Sequence, residues 1–216
     1  MIKPILFNGD MVRAILEGRK TVTRRCVKAK SKNACGFFVT TRKSDGAFMG
    51  VYDYDENEMM YESPQTQPAY VGDIMYVRET WTDHYVPDED GKPELQYCYK
   101  ADGVDIKGEC LPGENNRWYP SIHMPKEAAR IFLKVTAVRV ERLQEIDAIG
   151  CLQEGIESEY PQVLNGEEKR YAFSQLWNST IKKSDIDTYG WDANPWVWVI
   201  EFERCEKPDE FAGSNN

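Results

Sequence analysis

The stretch EGRKTVTRR, residues 17–25, combines four cationic side chains with two threonine hydroxyls in a chain whose formal net charge is -9. Guanidinium, ammonium and hydroxyl groups together can bind a phosphate or the polar edge of a nucleobase. Because the whole chain is acidic, it attracts a nucleic acid polymer only weakly at long range. The strip therefore favours a confined anion, a nucleotide or a single-stranded segment over a duplex, with a solvated charged face as the other interpretation. Its candidate binding residues are Arg19, Arg24 and Arg25.

Six tryptophans and twelve tyrosines are a large stock of aromatic rings. Nucleobases stack on such rings, and each stacked base contributes about 1–3 kcal/mol. The tryptophans in amphipathic segments are predicted to pack in the core: Trp177, Trp196 and Trp198. Those just past a strand or in loops beside Pro, Gly, Asp and Asn are candidates for a binding pocket: Trp81, Trp118 and Trp191.

Two further polar residues are candidates for substrate binding. Glu79, in RETW, either forms a buried structural ion pair with Arg78 or lines the cleft. His123, in SIHMP, is either a general base or a hydrogen-bonded loop histidine.

The elements that must position these residues begin with a helix, NGDMVRAILEG. Asn8 or Asp10 can cap its first turn, and Gly18 suits a left-handed C-terminal position. The basic strip therefore begins where this helix ends. Alternating or β-branched segments predict strands near 22–27, 73–79, 130–141 and 196–204.

Further elements follow from local patterns. FFVTTRKSDGAFMGVYDY predicts a hairpin turning at residues 44–46. LQYCYKA predicts a strand, MPKEAARI one helical turn, and EIDAIGCLQEGI and GEEKRYAFSQLWNST two helices.

This order of elements has no βαβ rhythm and no internal repeat. It predicts an α+β fold, mainly β, with a largely antiparallel sheet curled into a small barrel and the N-terminal helix across one end. A parallel α/β sheet is the weaker alternative. We expect one domain over residues 1–207, with loop-rich insertions near 30–70 and 82–120, and a polar tail at 208–216.

Several classes of protein are disfavoured by the sequence. The six cysteines show no C-x-x-C, and only two histidines are present, so we predict free thiols and no zinc site. The common nucleotide, metalloprotease and hydrolase motifs are absent, and no cofactor is predicted. Without a signal peptide or a long apolar run, the sequence predicts a cytoplasmic protein without a membrane partner.

Four motifs in order carry a family resemblance. They are GRKTVTRR after a short helix, GDIMYVRETW, QEGI at a helix end, and the terminal strand WVWVIEFE. Together they resemble the ASCH family of the PUA-like superfamily. The additional segments RWYPSIHMPKEAARI and WDANPWVWVIEFE are similar to the longer ASCH-type proteins of bacteriophages and prophages.

The resemblance implies a PUA-like β-barrel with flanking helices and a cleft suited to RNA or a modified nucleobase. Some small ASCH proteins are N4-acetylcytidine amidohydrolases, and their catalytic lysine, threonine and glutamate match Lys20, Thr23 and Glu154. A lysine in a closed cleft beside other cations is disfavoured as an ammonium, so Lys20 can accept the Thr23 hydroxyl proton. Glu154 can then protonate the leaving amine or, alternatively, activate water.

Three other functions remain open on the sequence. The chain can be a non-catalytic reader of RNA or modified bases, or a ribonuclease, as some ASCH proteins are thought to be. A phage structural or host-takeover adaptor has no sequence feature of its own. Protein partners are not predicted.

Overall fold

The computed structural model describes residues 1–57, 64–103, 117–157 and 166–211. Within these ranges the chain forms two compact units. Unit 1 contains residues 1–20, the described part of 72–135, and residues 202–211. Unit 2 contains the described parts of 21–71 and 136–201. The prediction of a single domain is not tested by this division and stays a prediction.

The described residues form nine strands and four helices, so the fold is α+β with more strand than helix. The strands are β1 Ile2–Leu6, β2 Val22–Cys26, β3 Gly36–Thr41, β4 Phe48–Tyr54, β5 Ile74–Arg78, β6 Trp81–Pro87, β7 Pro93–Tyr99, β8 Phe132–Arg142 and β9 Trp196–Cys205. The helices are α1 Gly9–Leu16, α2 Ala148–Gln153, α3 Gly166–Thr180 and α4 Ile186–Tyr189. β8 and β9 each contribute residues to both units.

The sheet of unit 1 has the strand order β1-β5-β8-β9. β1 pairs with β5 in parallel, with Ile2 opposite Ile74. β5 pairs with β8 in the antiparallel sense, with Met75 opposite Leu133. Both central positions are buried, as expected for strands with neighbours on each side.

Beside this sheet, β6 and β7 form an antiparallel hairpin in which Trp81 lies opposite Tyr99. The apolar cluster of the unit includes Tyr76, Trp81, Met124 and Phe132. It is closed by Phe211, whose ring lies edge-on to Phe132 with 4.8 Å between centroids. Aromatic burial of this kind is a large part of the hydrophobic stabilisation of a small unit.

The helix α1 of unit 1 follows the prediction closely. The Asn8 side chain accepts a hydrogen bond from the Met11 backbone N–H at 2.9 Å, so Asn8 rather than Asp10 is the cap. Gly18 has φ of 76°, the left-handed conformation that glycine adopts without strain. The backbone N–H groups of Arg19 and Lys20 both donate to the Ala14 carbonyl, which ends the helix.

In unit 2, β2 pairs antiparallel with β9, with Thr23 opposite Ile200 and Arg24 opposite Val199. The strand order of this unit is β8-β9-β2. A separate hairpin, β3–β4, turns through residues 42–47, where Gly46 has φ of 71°. This confirms the hairpin predicted from residues 44–46.

Two apolar clusters stabilise unit 2. The first packs α2 and α3 against β2 and β9, through buried residues such as Val22, Cys151, Phe173 and Trp177. The second lies around Trp198, against the β3–β4 hairpin. Each buried aliphatic or aromatic side chain contributes about 1.5–3 kcal/mol relative to an exposed one.

The four strands predicted from alternation are present within two residues of their expected bounds, and both later helices are present, although α2 is shorter than its segment. Three details differ. β1 and β6 were not predicted, and residues 126–128 form a turn instead of a helical turn. The strand order does not close on itself in the described part of either unit, so a closed barrel stays a prediction.

Candidate functional site

The three residues that the family resemblance implicates in catalysis are all nearly inaccessible to solvent. Lys20 is 2% exposed, Thr23 3% and Glu154 4%. Lys20 belongs to unit 1, whereas Thr23 and Glu154 belong to unit 2. Lysine and glutamate are almost never fully buried unless they are paired or functional. Their joint action as a catalytic group stays a prediction.

Within unit 2, Glu154 is held by Arg24. The Arg24 guanidinium donates from Nη1 to Glu154 Oε1 at 3.1 Å. The same group donates from Nη2 and Nε to Glu141 Oε1, at 2.7 and 2.9 Å. The Arg24 side chain is 2% exposed, so these charge-assisted hydrogen bonds form largely away from water.

The ion pairs continue along β8 and β9. Arg139 contacts Glu141 at 3.3 Å and also forms an ion pair with Glu201. Arg139 and Glu201 are both largely exposed, so this outer pair is worth little compared with the buried one. We refer below to the set Arg24, Arg139, Glu141, Glu154 and Glu201 as the β2–β8 ion cluster.

The short helix α2 places Glu154 at its C-terminal end. Asp147 caps the helix by accepting a hydrogen bond from the Gly150 N–H at 2.7 Å. The absence of a side chain at Gly150 makes room for Arg24, because a Cβ there would lie 3.2 Å from Arg24 Nη2. The Thr21 N–H donates to the Gln153 carbonyl at 2.9 Å, which ties the start of β2 to the same helix end.

Arg25, the next cation of the strip, is half-buried. Burial lowers the pKa of its guanidinium, and the negative charge of Glu154 opposes that shift. Arginine stays charged under ordinary conditions, so Arg25 supplies a positive charge near Glu154.

The cations at the start of the strip lie in unit 1. Lys20 has its ammonium 5.6 Å from the centroid of the Phe7 ring. Arg19 is paired with the exposed carboxylate of Glu17, with Nε to Oε2 at 2.7 Å. An exposed pair of this kind contributes at most about 1 kcal/mol. A role of Arg19, Arg24 or Arg25 in substrate binding stays a prediction.

Glu79 forms a buried ion pair, as one of its two predicted interpretations has it, but its partner is Arg130 and not Arg78, and a role in lining the cleft stays a prediction. Its carboxylate accepts two hydrogen bonds from Arg130, at 2.9 and 3.0 Å. Arg130 also binds Asp102 at 2.7 Å, and its guanidinium lies 3.8 Å from the centroid of the Tyr99 ring. Arg78 instead donates to the Ile122 carbonyl.

Charge and burial act in opposite directions on the Glu79–Arg130 pair. Burial raises the pKa of Glu79, and the hydrogen bonds and charge of Arg130 oppose that shift. Burial also disfavours charged Arg130, but the hydrogen bonds and charges of Glu79 and Asp102 outweigh it and raise its pKa. The charge of each partner is therefore stabilised by the other.

The remaining predicted pocket residues differ in their surroundings. Trp81 is 8% exposed, belongs to the core of unit 1 and stacks on Tyr119 with centroids 5.1 Å apart. Trp191 is half-buried and packs edge-on against Phe173 at 6.0 Å. Trp118 is half-buried, and His123 is exposed. None of these contacts tests a role in binding, which stays a prediction for all four.

The sequence interpretation missed three residues of the ion cluster and one of the Glu79 pair: Arg139, Glu141, Glu201 and Arg130. The signal for Glu141 was present, because alternation along β8 places Arg139 and Glu141 on one face. Nothing in the sequence pairs Glu141 with Arg24, which lies 117 residues away.

No protein-family model matches the chain, and no curated protein matches it significantly. Among solved structures, the crystal structure of an ASCH domain from Lactobacillus crispatus JV V101 matches it. The match covers 94% of this chain and 79% of that chain, with 13% identity and a TM-score of 0.38. That domain has the family name that the sequence motifs suggested. At this identity and TM-score we draw no conclusion about function from it.

Two further features of the described residues concern membrane crossing and cysteine pairing. No helix in the described ranges is both long enough and apolar enough to cross a bilayer. The five described cysteines are free: Cys26, Cys35, Cys98, Cys151 and Cys205. Cys110 lies outside the described residues.

Proposed function

We propose that this chain is an ASCH-type protein that binds RNA or a modified nucleoside, and that Lys20, Thr23 and Glu154 hydrolyse an N4-acylated cytidine such as N4-acetylcytidine. The observation that carries the proposal is the burial of these three polar residues, each at most 4% exposed. Their exposed neighbour Thr21 and half-buried neighbours Arg19 and Arg25 show that burial is not general in the strip. Polar groups withdrawn from water in this selective way are typical of functional sites.

The chemistry proposed for the three residues divides amide hydrolysis into two steps. The Thr23 hydroxyl oxygen attacks the acyl carbonyl while Lys20 takes its proton. The C–N4 bond breaks as the amine of cytidine leaves with a proton from Glu154. Water then attacks the acyl–threonine ester while Glu154 accepts a proton from that water and so becomes a carboxylic acid again. The acid is released as Lys20 returns its proton to the Thr23 oxygen, which restores the hydroxyl.

The proposal is tested by incubating the purified protein with N4-acetylcytidine and measuring cytidine and acetate. We expect turnover by the wild-type chain and its loss in Lys20→Met and Thr23→Val, which keep the side-chain volume. Lys28→Met is the matched control, because Lys28 is an exposed cation just beyond β2. No turnover by a folded wild-type chain would exclude the hydrolase, as would full activity in Thr23→Val.

A second candidate function, non-catalytic binding of RNA or a modified base, is favoured by a different observation. Glu154 and Glu141 share the Arg24 guanidinium, which is a structural use of the proposed acid. Under this alternative, RNA binding measured by gel shift persists in Thr23→Val and weakens in Arg25→Gln. Equal weakening in Lys28→Gln would instead indicate a general effect of charge.

A further inference from the structure

Unit 2 contains a cavity at the end of β2 opposite to Thr23. Its volume is about 330 Å³, at the lower end of the range for small-molecule sites. The residues that line it come from four parts of the unit: the segment after β2, the β3–β4 hairpin, the end of β8, and α4 with the start of β9. Lys20, Thr23 and Glu154 are not among the described residues that line it.

Four aromatic side chains line this cavity: Phe37, Tyr54, Tyr189 and Trp196. Tyr54 is able to lie there because position 36 is a glycine. A Cβ on Gly36 would lie 2.6 Å from Tyr54 Cζ, closer than real contacts allow. The Tyr54 ring also packs on Phe38, with centroids 4.6 Å apart. The hairpin therefore holds one aromatic wall in place.

The cavity also has a positive charge. Arg142 is the charged side chain among the described residues that line it. Its guanidinium lies 4.5 Å from the centroid of the Trp196 ring, and its Nη1 donates to the Asn194 carbonyl at 3.1 Å. No carboxylate of the described residues forms an ion pair with it. Arginine has five N–H donors in a planar fork, and such a fork is suited to a phosphate.

These groups select among chemical classes of ligand. Aromatic walls favour a flat ring, which stacks on them. Aromatic cages commonly bind quaternary or protonated amines through cation–π interactions. The positive charge of Arg142 disfavours such cationic ligands in this cavity. A ring joined to an anionic group satisfies both features.

We propose that this cavity binds a nucleotide, with the nucleobase stacked between the aromatic walls and the phosphate on Arg142. None of the proposed hydrolytic residues lines this cavity. The cavity would therefore be a second nucleotide-binding site, in addition to the one in the proposed function. Nucleotide binding in this cavity depends on the residues that line it, and it does not require the chain to hydrolyse N4-acetylcytidine.

The test is a calorimetric titration with adenosine 5′-monophosphate and cytidine 5′-monophosphate. The corresponding nucleosides and ribose 5-phosphate are titrated in parallel. We expect saturable binding of at least one monophosphate. Its affinity should be about tenfold higher than that of the corresponding nucleoside or of ribose 5-phosphate, because the base and the phosphate contact different residues. Equal affinity for a monophosphate and ribose 5-phosphate would contradict base stacking.

Substitutions of residues that line the cavity test whether the monophosphate binds there. Arg142→Gln should weaken the monophosphate about tenfold and leave the nucleoside unchanged, whereas Trp196→Leu should weaken both. Ala193→Phe, at an exposed lining position, should abolish binding by filling the cavity without removing a native contact. The matched controls are Arg42→Gln and Tyr171→Leu, two exposed residues of the same unit that do not line the cavity.

Cys35 gives a readout that needs no substitution, because it is exposed and lines the cavity. Its alkylation, followed by peptide mass spectrometry, should slow when a bound monophosphate is present. Cys26 and Cys151 should react slowly throughout, since burial raises the pKa of each to about 11.

Besides equal affinity for a monophosphate and ribose 5-phosphate, two results overturn the proposal. One is the absence of saturable binding, and the other is binding that Ala193→Phe leaves intact. Failure of this proposal is distinguishable from failure of the proposed hydrolase, because Thr23→Val should abolish turnover and leave monophosphate binding in the cavity unchanged.

Discussion

At the residue scale, Arg24 is a cation of the basic strip that lies buried in unit 2 of an acidic protein and binds two carboxylates. Its guanidinium is shared between Glu141 and Glu154 within unit 2. Breaking such a pair is far more costly than the pair's net contribution, because the remaining charge stays in a low-dielectric environment. Part of the charge in the strip therefore serves stability and not a ligand.

The first prediction follows from this pairing. Arg24→Met should lower the free energy of unfolding by about 3–5 kcal/mol, because it removes charge-assisted hydrogen bonds from a buried carboxylate. Chemical denaturation measures the change. Arg19→Met is the control, since its ion pair with Glu17 is exposed and its loss should cost about 1 kcal/mol or less. Equal losses in the two variants would contradict the buried pairing.

The second prediction concerns pH and the Glu79–Arg130 pair of unit 1. Burial raises the pKa of Glu79, and removing Arg130 removes the group that opposes this shift. A carboxyl whose pKa is raised on folding stabilises the fold below its unfolded pKa, about 4.3, and this contribution is lost as the pH rises through the folded pKa. Arg130→Gln should therefore destabilise the chain more at pH 8 than at pH 5.5.

Denaturation of wild type and Arg130→Gln at both pH values tests this expectation. Arg42→Gln is the control, because its exposed pair with Asp45 should matter little at either pH. A loss in Arg130→Gln that is the same at pH 5.5 and pH 8 would show that Glu79 is not the group responsible.

At the scale of elements, the six-residue helix α2 positions Glu154 through contacts and not through its own helical stability. Isolated helices of this length are unstable in water, so capping and packing must hold it. Asp147 supplies the cap, Cys151 the buried apolar contact, and Gly150 the space for Arg24. β2 is joined to the end of the same helix by the Thr21–Gln153 hydrogen bond.

The third prediction tests the space at Gly150. Gly150→Ala gains about 1 kcal/mol of helix propensity, but its Cβ would lie 3.0 Å from Ile146 Cγ1 and 3.2 Å from Arg24 Nη2. We expect a net loss of about 1–3 kcal/mol as Arg24 is displaced. Gly166→Ala, in α3, has open space at its Cβ and should be neutral or stabilising. A stabilised Gly150→Ala chain would contradict the predicted crowding.

At the scale of the whole molecule, 36 acidic residues against 27 basic ones oppose binding to a polyanion. The cations of the strip are used in part by internal carboxylates, which reduces the number available to phosphates. A long electrostatic footprint on nucleic acid is therefore not expected. Recognition of one or two nucleotides fits this charge distribution better than wrapping along a strand.

The fourth prediction is that binding of single-stranded RNA depends weakly on salt. With two phosphate contacts or fewer, the affinity should fall by less than about tenfold between 50 and 200 mM salt. Duplex DNA should show no measurable binding at 200 mM. Fluorescence anisotropy over a salt series measures the slope, and a loss of a thousandfold or more would indicate the six or more contacts that we exclude.

Local periodicity accounts for the elements that the sequence predicted correctly. The apolar spacing of α1 with its Asn cap, the turn glycine of the β3–β4 hairpin and the run of aromatic and β-branched residues in β9 are each decided by neighbours in the chain. β1 and β6 were missed because neither segment has a clear alternation of its own. β1 is stabilised by pairing with β5, and β6 by pairing with β7.

The sequence by itself determined the composition, the charge, most of the helices and strands, and the motif residues Lys20, Thr23 and Glu154. Only the tertiary structure decided that Arg24 pairs with Glu141 and Glu154, that Glu79 pairs with Arg130, and that four separate segments enclose the aromatic cavity. The physical reason is sequence distance. A buried charge pairs with whichever opposite charge the fold brings within hydrogen-bond reach, and that is decided by pairing between strands that are far apart in the sequence.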